Sequence, residues 1–447
     1  MDDTSQPANV GARPAWLPLT LLVSAALAVR LALMPYHAYL PGGSMDEHFW
    51  TAWMQAIHEH GVLNVFTTTK TNYVGYQWVL WALSLVYGWA GGSYGNPGPS
   101  LHLLVKTPSV LADVLLIVVT WHATAALVHD ELRRRRLALT AAAVIAFQPA
   151  VLYDGAVWAQ TDASVSVAML AAVLLAARGR PGAGWAVWAV GFLIKPQPVL
   201  LVPVLAVLTL RTDGWRGIAR GGGAAVAVAA VVLGPWIAHG DLHRVTTAYG
   251  ALMGSDYGRL SVSAWNTWWF ADRFTHAAPE DAVAAAPFLT YRVLGLLLSL
   301  CAGAIAAGYL WARTDLRRAL IAGAYMALAF YMLPMSTHER YLFPYLVLLL
   351  PVAMVERRWL WLYVPASCSL FLNMYVIAPS ASSWSGRWVD APFIWGVAGL
   401  NVAVFAAFTA IIASGARGAL PDLQVYVRNS YPFNRMGRAR VGRAAGA

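Results

Sequence analysis

The sequence predicts an all-α, polytopic membrane protein with about twelve transmembrane helices and two long outer loops that carry interfacial helices. Three observations predict it. Hydrophobic residues make up 59% of the 447 positions and charged residues only 12%, too few polar groups to cover a surface that faces water. Apolar runs recur along nearly the whole chain, at or near the roughly 20 helical residues that cross a hydrocarbon core. The strict alternation of a membrane β-barrel is absent.

The expected crossings are 16–34, 103–127, 137–153, 164–177, 183–193, 199–210, 224–238, 287–311, 319–335, 341–354, 359–378 and 392–413. In the first, the stretch Ser24 to Ala28 faintly resembles a signal-peptidase site. Apolar sequence continues to Leu33, so this run is expected to be retained as a span. The two cysteines, Cys301 and Cys368, lie inside apolar runs and offer neither a disulfide framework nor a CxxC metal site.

With both termini cytoplasmic, most Lys and Arg fall on the inner side, including Arg133 to Arg136, Arg178, Arg211, Arg313 and Arg357. The chain then reads as a single integral domain over 1–447, with outer loops at 36–102 and 239–286 and a basic cytoplasmic tail at 415–447. Gly75–Ala90 is apolar, but counting it as a span would put the Arg133 cluster outside; it reads as a helix lying at the interface, as Trp78, Trp81 and Trp89 allow. The net charge of +10 points to membrane lipids as partners, with the tail on anionic lipid, and not to nucleic acid.

Function is expected in the outer loops. Asp46 and Glu47 follow the first span and open an amphipathic stretch containing Trp50, Trp53, Met54 and Ile57, which places carboxylates at the water boundary. Such a carboxylate can orient and deprotonate an acceptor hydroxyl; an isolated loop acid can equally be a solvated one. Gln148-Pro149, Asp154, Gln160 and Asp162 gather polar groups at one helix mouth, where the two Asp can serve as helix caps, as substrate contacts or as both. Between Arg180 and Arg211, the arms on either side of Lys195-Pro196-Gln197-Pro198 are too short for a full crossing, so Lys195 should sit at a hairpin tip within membrane depth. An ammonium there needs a partner or a wet cavity: a lipid-borne phosphate, a pairing with Asp154 or Asp162, or snorkelling to the interface. Arg259 precedes the aromatic run around Trp265 to Phe270. His338-Glu339-Arg340 joins two spans at the outer face, as a phosphate-binding pair of cations or as a Glu339–Arg340 surface pair.

In this order the residues resemble the GT-C superfamily of polyprenyl-phosphate-sugar glycosyltransferases, over most of the chain. The likeness is to dolichyl-phosphate-glucose oligosaccharide glucosyltransferases and to bacterial proteins related to GPI mannosyltransferases. It is carried by Asp46 before Glu47 and Trp50, Lys106 with Asp113, Gln148-Pro149 through Asp162, Lys195 with Gln197, and His338-Glu339-Arg340. The resemblance implies a GT-C-like fold, Asp46 as base, and His338 on the donor phosphate with Arg340 or Lys195 assisting; Arg259 is a further candidate for the phosphate. It further implies Glu47, Lys106, Asp154, Gln160, Asp162, Gln197 and Tyr76 around the substrates. The chain departs from the family where an acidic residue and a Pro pair are expected and Asn72-Tyr73-Val74-Gly75-Tyr76 stands instead, on the acceptor side. The activity this likeness implies is transfer of a hexose, mannose before glucose, from a polyprenyl-phosphate carrier to an extracytoplasmic lipid, glycan or protein acceptor, with inversion. No cofactor is implied; a divalent metal is compatible with Asp46 and Glu47 and not required. A transporter or flippase of a lipid-linked sugar is the rival reading, and it would call for repeat halves with broken helices at matching positions.

Overall fold

The computed structural model describes residues 16–37, 45–71, 73–253, 258–284, 286–380 and 392–417. Asn72, Tyr257 and nearly all of the basic tail lie outside these residues. In chain order, α1 (Trp16–Leu33) leads to α2 (Met45–His60), the short α3 (Val65–Thr68) and α4 (Tyr76–Trp89). The long α5 (Pro99–Ala125) is followed by α6 (Glu131–Ala146), which continues into α7 (Pro149–Leu152) and a π-helical turn, Tyr153–Val157. Next come α8 (Asp162–Ala177), α9 (Pro181–Ile194), α10 (Val202–Ala238) and α11 (Leu242–Met253). Then β1 (Ser261–Val262), α12 (Thr267–Thr275), β2 (Ala282–Val283) and β3 (Ala286–Thr290) precede α13 (Tyr291–Ala312) and α14 (Leu316–Met332). The chain closes with β4 (Thr337–His338), α15 (Phe343–Val355), α16 (Leu360–Ser380) and α17 (Pro392–Ala416).

Helix boundaries follow local chemistry. Asp130 and Asp315 cap α6 and α14, each accepting the backbone N–H three residues on, from Arg133 and Arg318, at 2.8 Å. Asn266 caps α12 by accepting from the N–H groups of Trp268 and Trp269. Each cap satisfies donors that have no partner inside the helix. α9 stops at Lys195 because Pro196 follows; Lys195 takes the extended conformation that a residue before proline prefers.

Among the described residues, five helices are long and apolar enough to cross a membrane, or six if a bent pair is counted as one span. That pair is Glu131–Ala146 with Pro149–Val157, bent by 48°, and Pro149 at the start of the second piece accounts for the break in what the sequence suggests is one rod. Leu17–Leu33, Asp162–Ala177, Pro181–Ile194 and Phe343–Val355 are apolar but shorter. Length and composition therefore do not reproduce twelve full crossings. α10 is interrupted at Gly214 (φ 63°, ψ −161°), a conformation open to glycine. There the rod doubles back: the Trp185 indole donates to Thr209 before the break and packs against Gly221 after it.

α14 and α15 form the centre of the bundle and are buried on nearly every side, as helices apolar all round should be. α2 and α4 make a separate aromatic layer. Trp50 meets Tyr76 edge-on at 5.0 Å, and Trp78 lies 4.7 Å from Trp236 while donating to the Val232 carbonyl. At 14 residues, α4 reaches about 21 Å, short of a hydrocarbon core of about 30 Å.

The layer is pinned to the Lys195 hairpin by the Gly75 N–H, which donates to the Leu193 carbonyl at 2.7 Å. A Cβ at Gly75 would fall 2.6 Å from that oxygen. Gly75→Ala is therefore expected to destabilise by about 1–3 kcal/mol, the usual cost of overpacking, read as a lowered unfolding midpoint in nanodiscs. An unchanged midpoint would show that this contact is not made.

The arginines assigned to the inner side share one end of the bundle. Arg133 donates to the Val355 carbonyl, Arg317 pairs with Glu356, Arg318 donates to the Tyr309 carbonyl and Arg211 stacks on Trp311. The segments singled out for chemistry gather at the other end. There β1 pairs in parallel with β4, Ser261 against Thr337 and Val262 against His338, which ties the α11–α12 segment to the α14–α15 loop.

Candidate active site

Four chain segments build the site: the start of α2, the turn 153–162, the Lys195 tip and the loop 333–342. The turn is held in an unusual backbone shape. Ala159 has φ 63°, uncommon for a residue with a Cβ, and its carbonyl accepts from the Trp50 indole at 2.9 Å while the next carbonyl, of Gln160, accepts from the Ser109 hydroxyl at 2.6 Å. This clamp sets the position of Trp158 on one side and Asp162 on the other.

Asp46 is partly open to solvent, its side chain 23% exposed. The Trp158 indole donates to its Oδ2 at 2.9 Å, and Arg340 Nη2 lies 3.9 Å from its Oδ1. Arg340 is buried, faces the Trp158 ring at 5.4 Å, sits 3.7 Å from Asp162 Oδ2 and donates to Glu339 Oε1 at 2.5 Å. Lys195 Nζ donates to both oxygens of Asp162, at 2.9 and 3.0 Å, and lies 4.8 Å from the centre of the Tyr341 ring. Asp162 thus bridges the two buried cations. Of the two carboxylates open to Lys195 as partners, Asp162 is the one it pairs with.

The charges of the 333–342 loop reinforce one another. Burial alone would raise the Glu339 carboxyl, but Arg340 first and then His338 pull it down to about 2. Burial alone would lower Arg340, and Glu339 and then Asp46 hold it well above its ordinary value. Glu339 and Arg340 do pair, as a buried couple and not a surface one. His338 has its backbone in β4 and its ring beside Tyr341, 5.2 Å between centroids, with Nδ1 3.8 Å from Glu339.

Deeper in, Asp154, Gln160 and Gln197 are fully or almost fully buried. Neither Asp154 oxygen, nor either amide atom of Gln160 or Gln197, has a hydrogen-bond partner among the described residues. Buried polar groups are normally satisfied, so these side chains keep hydrogen-bonding capacity that the described residues do not use.

Other expected residues are placed elsewhere. Glu47 turns away from Asp46 and is held by the Nδ1 atoms of His37 and His102, at 2.9 and 2.7 Å, with Lys106 Nζ at 3.8 Å. Lys106 donates to the Met34 and Tyr36 carbonyls just past the end of α1, where a cation suits the negative helix end. Tyr76 packs on Trp50 with its hydroxyl unpartnered among the described residues. The Arg259 side chain is 64% exposed and lies 3.4 Å from Asp272; it does not join Arg340 and Lys195, because Leu260 takes the buried position entering β1. Among the described residues no group of three or more His, Cys, Asp or Glu is placed to hold a metal ion.

Sequence reasoning missed Trp158 as the donor to Asp46, and His37 and His102 as the holders of Glu47. It also passed over Arg30, fully buried, which donates to Asp113 Oδ2 at 2.8 Å and to the Ala26 and Ala146 carbonyls. A lone arginine inside an apolar run was the available signal.

No known family's sequence model matches the chain, and no curated protein does. One solved structure that it resembles is the crystal structure of ArnT from Cupriavidus metallidurans in the apo state, with 16% identity, a TM-score of 0.47, and coverage of 90% of this chain and 77% of that one.

Proposed function

We propose that this chain is a membrane glycosyltransferase of GT-C type that moves a hexose, mannose before glucose, from a polyprenyl-phosphate carrier to an acceptor hydroxyl, with inversion. The observation that carries the reading is the pairing of one accessible carboxylate with two buried cations: Asp46, Arg340 3.9 Å from it, and Lys195 joined to Arg340 through Asp162. In the reaction the acceptor oxygen attacks the anomeric carbon as its proton passes to Asp46. The bond from that carbon to the phosphate oxygen breaks, and the phosphate leaves with the electron pair. Its growing charge is met by Lys195 and Arg340, which exchange part of their hold on Asp162 and Glu339 for the phosphate. His338, in the same loop, borders the phosphate side. Asp154, Gln160 and Gln197 offer the hydrogen bonds that sugar hydroxyls need.

The test is incubation of the purified full chain in nanodiscs with radiolabelled polyprenyl-phosphate mannose or glucose and a membrane-lipid extract as acceptor. The expected result is appearance of free polyprenyl phosphate together with labelled product. Label that crosses a liposome bilayer with the donor intact would replace this reading by that of a carrier.

A further inference from the structure

At the end of the bundle opposite Asp46, the C-termini of α13 and α15 meet the N-termini of α14 and α16 around a cavity of about 300 Å³. Arg313, Arg317, Arg318 and Arg358 all line it. Two carboxylates answer these four guanidinium groups. Asp315 takes Arg313 at 2.9 Å, and Glu356 takes Arg317 at 2.7 Å and Arg358 at 2.9 Å. Arg318 has no carboxylate within ion-pair distance among the described residues. It is held in place by the Tyr309 carbonyl at 2.8 Å and by the Tyr309 ring, 4.5 Å from its guanidinium carbon. A pocket with a surplus of two positive charges and one arginine fixed without a counter-ion is built for an anion.

The walls say where that anion comes from. Trp359, Trp361 and Ile411 complete the cavity; Trp361, 52% exposed, lies near the start of α16 and Ile411 near the end of α17, both helices apolar enough to cross a membrane. Tryptophan at such a level marks the boundary between headgroups and hydrocarbon, so the mouth borders lipid. Nothing in the proposed chemistry uses this end: α14, with 17 residues, separates it from the His338 loop by about 25 Å.

We propose that this cavity binds the headgroup phosphate of an anionic phospholipid in the leaflet at the basic end of the protein, with Arg313 and Arg318 as its principal cations. Arg317 and Arg358, shared with Glu356, form the back wall. By the charge bias of the chain this leaflet is the cytoplasmic one. The bound lipid would lock the ends of four helices together, a role separate from sugar transfer.

Native mass spectrometry of the full chain from micelles doped with phosphatidylglycerol or phosphatidylcholine tests this, together with unfolding midpoints measured with each lipid and with millimolar inorganic phosphate. The expected result is at least one strongly retained phosphatidylglycerol and a raised midpoint, with no comparable effect of phosphatidylcholine or phosphate. Arg313→Gln should weaken retention about fivefold, since one basic group near an anionic lipid surface contributes on the order of a fivefold change in affinity; Arg313→Gln/Arg318→Gln should remove it. Arg313 is 73% exposed, so its single variant reads binding even if the double variant does not fold. Equal retention of phosphatidylglycerol by wild type and Arg313→Gln would overturn the proposal, as would a midpoint shift that inorganic phosphate reproduces.

Discussion

Asp46→Asn is expected to slow sugar transfer by about 10²–10⁴-fold, the usual contribution of a positioned general base, while the chain still folds and still retains the polyprenyl-phosphate donor. Asn keeps the size of the side chain and an oxygen that can accept from the Trp158 indole, so the 2.9 Å contact has a replacement. What it lacks is the charge that draws the acceptor proton and faces Arg340. The measurement is the single-turnover rate of donor consumption in nanodiscs, alongside donor affinity. Trp158→Phe is the milder companion: it removes one hydrogen bond to a charged group, worth about 1.5–3 kcal/mol, and frees Asp46 to rotate, with an expected loss of about tenfold or more. Full-rate transfer by Asp46→Asn would remove this residue from the chemistry and leave the buried cations as a purely structural feature.

The membrane class of the fold was legible because the solvent dictates composition: a helix in hydrocarbon must satisfy its own backbone and show apolar side chains. The number of crossings was not, because hydropathy does not distinguish a helix that faces lipid from one that faces protein. Phe343–Val355 is apolar along its whole length yet only 13 residues long and buried inside the bundle. The Lys195 tip could be read from the two prolines and the short arms; its partner could not, since Asp162 is 33 residues away and Asp154 was an equal candidate. Pairs still further apart, such as Arg30 with Asp113 at a separation of 83, leave only the trace of a charge in an apolar run. The placing of Arg259 beside Asp272 was illegible for a different reason. Two residues of strand pairing between Ser261–Val262 and Thr337–His338 decide which neighbour is buried, and a contact between segments 76 positions apart has no local signature.

Lys195→Met is expected to be the most destabilising of these substitutions, by about 3–5 kcal/mol, the range seen when one member of a buried ion pair is removed. The ammonium is 1% exposed and Asp162 fully buried, at 2.9 and 3.0 Å, so the substitution takes from a buried carboxylate its nearest cation. Arg340 stands 3.7 Å away but already holds Glu339 and faces Asp46 at 3.9 Å. Loss of Lys195 therefore leaves three carboxylates, Asp46, Asp162 and Glu339, to one shared arginine. The unfolding midpoint in nanodiscs and the yield of monodisperse protein should both fall. Lys195→Met/Asp162→Leu separates the two roles of the pair: replacing both charges by apolar groups of similar size is often neutral or better for stability, so the double variant should regain most of the midpoint. It should not regain the transfer activity, because one of the two cations that meet the departing phosphate is gone. A single variant with the wild-type midpoint would mean that Lys195 and Asp162 are not paired in the folded membrane protein; a double variant that transfers sugar would place the phosphate elsewhere.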